Sequence, residues 1–261
     1  MQEISDIKVT EAIISTYNKK LLEHLQNDVV IAGGGPSGLL AAGTLASKGY
    51  KVALFERTLS VGGGMWGGGI GYNIIVFQEE GKRLLDEIGV NYEKYEDGYY
   101  TADSIETVAA LLVRAKKSGA MIFNLTEVED VMVSDGRITG VVVNRSPITI
   151  AGLHVDPVSV AAKYVVEATG HPLEVLKKVV AKTGIELATP SGAIEGEKSM
   201  NAQLGEGALI DNTVEIAPGL YVAGMAANAA FGSFRMGPIF GGMLLSGEKV
   251  ADEIDRKLSG N

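Results

Sequence analysis

Residues 33–38 read Gly-Gly-Gly-Pro-Ser-Gly. They stand between a short apolar run, Asp28–Ala32, and a segment of helical character, Pro36–Lys48. A second apolar strand is expected over Tyr50–Phe55, so the run reads as a β-α-β unit. In that setting G-x-G-x-x-G has a physical meaning. Gly33 permits the tight turn, Gly35 lets a pyrophosphate approach the backbone, and Gly38 lets helix and strand pack closely. The phosphates then sit at the helix N-terminus. Glu56 follows Gly38 by 18 residues, at the end of the second strand. An acid there accepts the hydroxyls of an adenosine ribose. Arg57 beside it can stack on adenine, hold a phosphate or remain solvated.

Two later segments, Val166-x-Ala168-Thr169-Gly170 and Gly219-Leu220-Tyr221-Val222-Ala223-Gly224, resemble parts of two-dinucleotide-binding-domain flavoproteins. The expected fold class is therefore α/β, a Rossmann-like dinucleotide-binding fold of that flavoprotein type, with a β-rich insertion. An FAD-dependent oxidoreductase follows as one candidate function. The 261 residues leave little room for a second full nucleotide domain.

Composition narrows the partners. The net charge of −9 disfavours a nucleic-acid surface, which needs basic groups to displace counterions, and equally an anionic lipid surface. Val29–Ser47 and Ile216–Phe234 lack charge over about a membrane-spanning length. Both are rich in Gly, Ser, Thr, Asn or Pro, so neither is expected to span. The first residues show no signal-peptide pattern, and a cytoplasmic protein is expected. Cysteine is absent from the sequence. No disulfide, zinc–thiolate site, cysteine nucleophile or side-chain sulfur donor is available.

Along the chain, Thr10 is expected to cap a helix over 11–25, with Ile14, Tyr17, Leu21 and Leu25 on one face. The nucleotide unit covers 28–56. The run Gly62–Gly69 is too glycine-rich for regular structure. Helices are expected over Glu79–Ile88, Ser104–Ser118 and Leu173–Thr183. A β-rich insertion is expected at about 120–145, turning at Asp135-Gly136. Thr189–Asn212 reads as a long loop, and Met236–Leu258 largely as helix. One α/β domain over 1–261 is the expected organisation.

Only three histidines occur: His24, His154 and His171. His24 reads as a surface or internally satisfied histidine. His154, Asp156 and His171 fall within 18 residues, and imidazole plus carboxylate is a ligand set for Fe(II), Zn(II) or Mn(II). The spacing alone fits chance as well as a metal. Arg235 is the only charged residue between Ile216 and Gly247. A buried lone guanidinium needs an anion, either a protein carboxylate or the carboxylate or phosphate of a small ligand.

Taken together, these stretches resemble the thiamine thiazole synthase family in its archaeal form. The likeness runs through 33–38, Glu56-Arg57, Gly-Gly-Gly-Met-Trp-Gly-Gly-Gly at 62–69, and Glu127-Val128-Glu129-Asp130. It continues through Leu153-His154-Val155-Asp156-Pro157, Ala168-Thr169-Gly170-His171 and Gly232-Ser233-Phe234-Arg235-Met236-Gly237-Pro238. The resemblance implies a transferase-class enzyme that consumes NAD as a substrate. Nicotinamide leaves, the ADP-ribose opens and isomerises to a ketone, glycine condenses, sulfur enters, and an adenylated thiazole carboxylate forms. It implies Fe(II) held by Asp156 and His171 from neighbouring protomers, and the glycine-derived carboxylate held by Arg235. It implies nucleotide contacts at Ser37, Glu56, Arg57, Gly64, Val128, His154, Val155, Asp156 and Met225, and a homo-octamer. Eukaryotic members place a sulfur-donating cysteine where this chain has His154. The archaeal type uses free sulfide, so sulfide is the expected sulfur source and His154 a candidate for proton handling. The proposed ring opening also leaves a ribose-1,5-bisphosphate isomerase-like activity as an alternative.

Overall fold

The computed structural model describes residues 3–260. Its first helix, α1 (Asp6–Glu23), starts one turn before the expected 11–25 segment. Ser5, not Thr10, accepts from the Lys8 N–H as the cap; the Thr10 hydroxyl instead donates to the Asp6 carbonyl. None of its residues is fully buried, so the expected apolar face finds little of its own chain to cover it.

The nucleotide unit forms as expected: β1 (Gln26–Ala32), α2 (Pro36–Ser47) and β2 (Val52–Phe55). The two strands pair in parallel from Val29↔Val52 to Ala32↔Phe55. Alternation along β1 divides the core. Val29 and Ile31 pack with Leu39, Leu40 and Leu54 on one face, while Val30 and Ala32 join Phe55 and Val165 on the other. Val29, Val30 and Ile31 are fully buried. Each contributes roughly 1.5–3 kcal/mol relative to exposure.

The glycine-rich run after β2 contains one short 3-10 turn, Gly63–Gly67. The chain then makes an antiparallel excursion, β3 (Ile74–Phe77), β4 (Tyr92–Glu96) and β5 (Tyr99–Asp103) in the order β3-β5-β4, whose strands the sequence patterning did not reveal; between β3 and β4 lies the expected helix, α3 (Lys82–Ile88), starting three residues later than the expected Glu79. Helix α4 (Ser104–Lys117) is capped by Asp103, which accepts from the Ile105 and Glu106 N–H groups. Strand β6 (Met121–Phe123) belongs to the parallel sheet rather than to an insertion, pairing with β2. The hairpin β7 (Thr126–Ser134) and β8 (Arg137–Arg145) turns at Asp135-Gly136, both at positive φ as a type I′ turn requires.

After α5 (Ser146–Ile150) comes an exposed loop and then β9 (Val158–Glu167), the hub of the sheet. Its first residues pair antiparallel with β8, and the rest run parallel to β1. Helix α6 (Glu174–Lys182) follows. The segment expected as one loop, Thr189–Asn212, instead holds β10 (Lys198–Met200) and α7 (Ala202–Asn212). Asn201 caps α7 by accepting from the Leu204 N–H, while Gly205 and Gly207 blur its apolar period. Strands β11 (Glu215–Ala217) and β12 (Leu220–Val222), helix α8 (Met225–Ala230), β13 (Phe234–Arg235) and helix α9 (Gly241–Ser259) complete the chain. Gly237-Pro238 delays the last helix beyond its expected start at Met236. The main sheet runs β11-β12-β9-β1-β2-β6 and is mostly parallel, with the β7–β8 hairpin joined at β9. β10 and β13 form a separate two-stranded parallel ribbon.

Candidate active site

A cavity of about 1030 Å³ opens where the carboxyl ends of β1, β2 and β9 meet the N-terminus of α2. That is the position at which open α/β sheets take ligands, and the volume is at the top of the usual range for ligand pockets. The glycine turn explains the opening. Gly33 has φ +101°, and a Cβ there would fall 2.4 Å from the Ala168 carbonyl oxygen. A Cβ on Gly38 would fall 2.1 Å from the Gly33 carbonyl oxygen, so the helix packs flush against the turn. Gly35 is different: a Cβ there would meet nothing within 4 Å. Its missing side chain leaves room for a ligand rather than for the protein.

No side chain caps α2, and no acid lies in its first turn. The Ser37 hydroxyl donates to the Met243 carbonyl at 2.7 Å. The first N–H groups of the helix are thus left to the cavity, a ready anion site. Glu56 stands beside it. Its Oε2 accepts from the Gly34 N–H at 2.9 Å, and its Oε1 accepts from the Thr58 N–H and hydroxyl, each at 2.7 Å. Three of about four carboxylate lone-pair sites are occupied, leaving one for a ligand hydroxyl. Arg57 pairs with Glu174, Nη1 to Oε1 at 3.3 Å, along the cavity wall. Gly64, Val128 and Met225 also line the cavity.

The cavity is also lined by His171 and Arg235. His171 lies on the turn between β9 and α6. The fully buried Glu167 clamps that turn: its carboxylate accepts from the N–H and hydroxyl of Thr169 and from the N–H groups of Val175 and Leu176. Burial pushes the Glu167 carboxyl above its ordinary value, and the four donors oppose that shift. His171 Nδ1 lies 2.8 Å from Oε1 of Glu197. The sequence reading did not single out Glu197, which is 26 residues away in a stretch without period; no spacing signal marks it. Arg235, on β13, is exposed at the cavity edge, and no protein group pairs with its guanidinium among the described residues. The alternative of a protein carboxylate partner is therefore not realised, and the expected burial of this cation is corrected.

Gly33, Gly35, Ser37, Glu56, Arg57, Gly64, Val128, His171, Met225 and Arg235 thus share one cavity. Gly38 lies behind the turn. His154, Val155 and Asp156 are not in its lining. They sit on the loop before β9, in which residues 151–157 are all exposed, rooted by Asn144, whose Nδ2 donates to the Val155 carbonyl at 3.0 Å. Among the described residues no group of three or more His, Cys, Asp and Glu side chains is placed to hold a metal. One chain therefore brings His171, but not Asp156, to the cavity. His24 is buried and bonded to Asn27, an internally satisfied histidine as expected.

The chain is similar to known proteins over nearly all its length. The model of the Thi4 family matches residues 10–240. The thiamine thiazole synthase of Methanothermobacter thermautotrophicus is 56% identical over 256 residues, covering 98% of this chain and 99% of that protein. That of Pyrococcus horikoshii is 50% identical over 255 residues, again covering 98% and 99%. The crystal structure of Thermovibrio ammonificans THI4 superposes with a TM-score of 0.94 at 49% identity, over 99% of this chain and 100% of that one.

Proposed function

This chain belongs to the Thi4 family, whose matched relatives are thiamine thiazole synthases, and on that premise we propose that it converts NAD and glycine, with free sulfide, to an adenylated thiazole carboxylate. One observation carries the reading. A single cavity joins an uncapped helix N-terminus beside Glu56 to an unpaired guanidinium and a tethered imidazole, in a chain that has no thiol.

In this reading the α2 N-terminus, with Gly33, Gly35 and Ser37, takes the pyrophosphate. Glu56 accepts one ribose hydroxyl through its remaining lone pair. Arg57, Gly64, Val128 and Met225 border the rest of the adenylate. Arg235 forks onto the glycine-derived carboxylate, the anion its position lacks. Trp66 and Ile70 line the same cavity from the glycine-rich run, helping to exclude water from the reacting end.

Imidazole plus carboxylate suits Fe(II), and two protein ligands leave positions for small reactants. A bound ferrous ion would supply a Lewis-acidic centre that holds sulfur donor and substrate side by side. His171 would be one ligand. Asp156 would come from a second copy of the chain, since its own loop is exposed and outside the cavity. Leu153, Val155 and Val158 on and beside that loop are exposed apolar side chains, a surface suited to burial between copies. His154, on the same loop, would then be positioned to move protons at the shared site. The assembly implied is a homo-oligomer, an octamer by resemblance.

The direct test is anaerobic incubation with NAD, glycine, sulfide and Fe(II), followed by mass analysis of released adenylates. The thiazole adenylate is expected only when all four are present. A yellow protein that releases flavin on denaturation, or isomerisation of a sugar bisphosphate without NAD and glycine, would overturn the reading.

A further inference from the structure

Glu197 does not line the cavity, yet it touches a residue that does. Its Oε1 lies 2.8 Å from Nδ1 of His171. The two side chains are 21% and 43% exposed, so the contact is partly sheltered. Each is anchored from a different part of the fold. Glu197 immediately precedes β10, and its segment is stitched to the one carrying Arg235. Glu195 N–H donates to the Ala230 carbonyl at 3.0 Å, Lys198 N–H to that of Ser233 at 3.0 Å, and Asn201 N–H to that of Arg235 at 2.9 Å. His171 is held from the other side by the turn that Glu167 clamps. Two independently fixed segments therefore meet at one hydrogen bond.

The chemistry of that bond is one-sided. An ionised carboxylate only accepts, so a neutral imidazole facing it carries its proton on Nδ1. Nε2 is then bare, and no protein group partners it among the described residues. A bare Nε2 can ligate a metal or take a proton; a protonated one can do neither. Without the carboxylate, nothing would prevent the proton from residing on Nε2.

We propose that Glu197 is a positioning residue that fixes His171 as the Nδ1–H tautomer and thereby presents an unprotonated Nε2 to the cavity. The inference rests on the proposed function only for what that nitrogen then binds. Carboxylate partners of ligand histidines are typically worth about 10–100-fold in metal affinity.

The test uses the full chain labelled with nitrogen-isotope histidine, without metal or substrate, under conditions where the imidazoles are neutral. Long-range proton–nitrogen correlation spectra report which ring nitrogen bears the proton, and three histidines give three ring systems. Wild-type His171 is expected with Nδ1 protonated and Nε2 bare. Glu197→Ala is expected to move the proton toward Nε2 and to weaken cobalt(II) binding by about 10–100-fold. Glu197→Gln, whose amide oxygen still accepts from Nδ1–H, is expected to keep the tautomer and most of the affinity. His24, held by Asn27, reports an intact fold in the same spectrum. If the alanine variant fails to fold, the wild-type and glutamine spectra decide. An Nε2–H tautomer in the wild type, or an unchanged tautomer in Glu197→Ala, overturns the proposal. A correct tautomer in a wild-type protein that takes up no metal would count against the proposed iron chemistry and leave this assignment standing.

Discussion

Arg235 is a cation that the chain leaves without a protein partner. Truncating it therefore removes little from the folded protein but removes the fork for a ligand carboxylate. Arg235→Ala is expected to change stability by less than about 0.5 kcal/mol. It should raise the KM for glycine at least roughly tenfold, a loss of about 1.4 kcal/mol, as steady-state assays can establish. Unaltered glycine use would return Arg235 to a bystander. The glycine turn offers a sharper contrast. Gly38→Ala puts a Cβ against the Gly33 carbonyl and should destabilise by about 3 kcal/mol or more in urea unfolding. Gly35→Ala enters open space, so the fold should keep its stability within about 1 kcal/mol while ADP binding, read by calorimetry, weakens sharply. The turn at Gly33 and the close packing at Gly38 were legible in the sequence because a strand, a turn and a helix in that order have few packings. The pairing state of Arg235 was not, since a one-dimensional charge count cannot say whether a residue is buried or which carboxylates come near.

Carboxylates join the elements both beside the site and away from it. Glu167 binds the end of β9 to the start of α6 through four donors, three of them backbone N–H groups. Glu167→Gln replaces one accepting oxygen with a donor that faces other donors, and should cost about 2–4 kcal/mol in urea unfolding. Asp28 ties β1 to its neighbours. Burial raises its carboxyl, but Lys163 at 2.8 Å and the Lys51 N–H outweigh that, so its pKa lies below the ordinary 3.8. Asp130, paired with Lys182 at 2.6 Å, is lowered in the same way, again against burial. Depressed carboxylates add stability above their ordinary pKa and lose it as pH falls through the folded value. His24 acts in another window. Burial lowers its pKa from 6.5, so the unfolded chain takes up the proton first and stability declines as pH drops below 6.5, levelling off under the folded value. Urea midpoints measured against pH should therefore fall in two stages, and Asp28→Asn should reduce the lower one only. A single fall, or a lower stage untouched by Asp28→Asn, would contradict these assignments. Strands with continuous apolar runs were readable from sequence, because burial on both faces leaves no other pattern. The ribbon β10–β13 was not: two and three residues carry no period, and their pairing depends on a contact across 36 positions, from Lys198 to Phe234.

At the scale of the whole molecule, the parallel sheet and a cavity at the N-terminus of α2 followed from the β-α-β unit, while the position of Asp156 outside that cavity did not. Asp156 and His171 are 15 residues apart in sequence, yet only His171 reaches the cavity of its own chain. Short separation along the chain says nothing of which copy a loop serves. If the site is shared, His171→Ala and Asp156→Ala subunits should each be inactive alone. When dissociated and reassembled together, random pairing should restore roughly one quarter of the sites. A mixture that stays inactive would place both ligands on one chain. No helix among the described residues is long and apolar enough to cross a membrane, and Ile7, Ile13, Ile14 and Leu22 of α1 are exposed. With no cysteine in the polypeptide, the sulfur of the proposed product is expected to arrive from outside it. Isotopically heavy sulfide, supplied anaerobically with NAD, glycine and Fe(II), tests this most directly. The expected result is labelled thiazole adenylate in several-fold excess over protein chains, with the mass of the chain unchanged. Product that never exceeds one per chain, or that carries unlabelled sulfur, would contradict it.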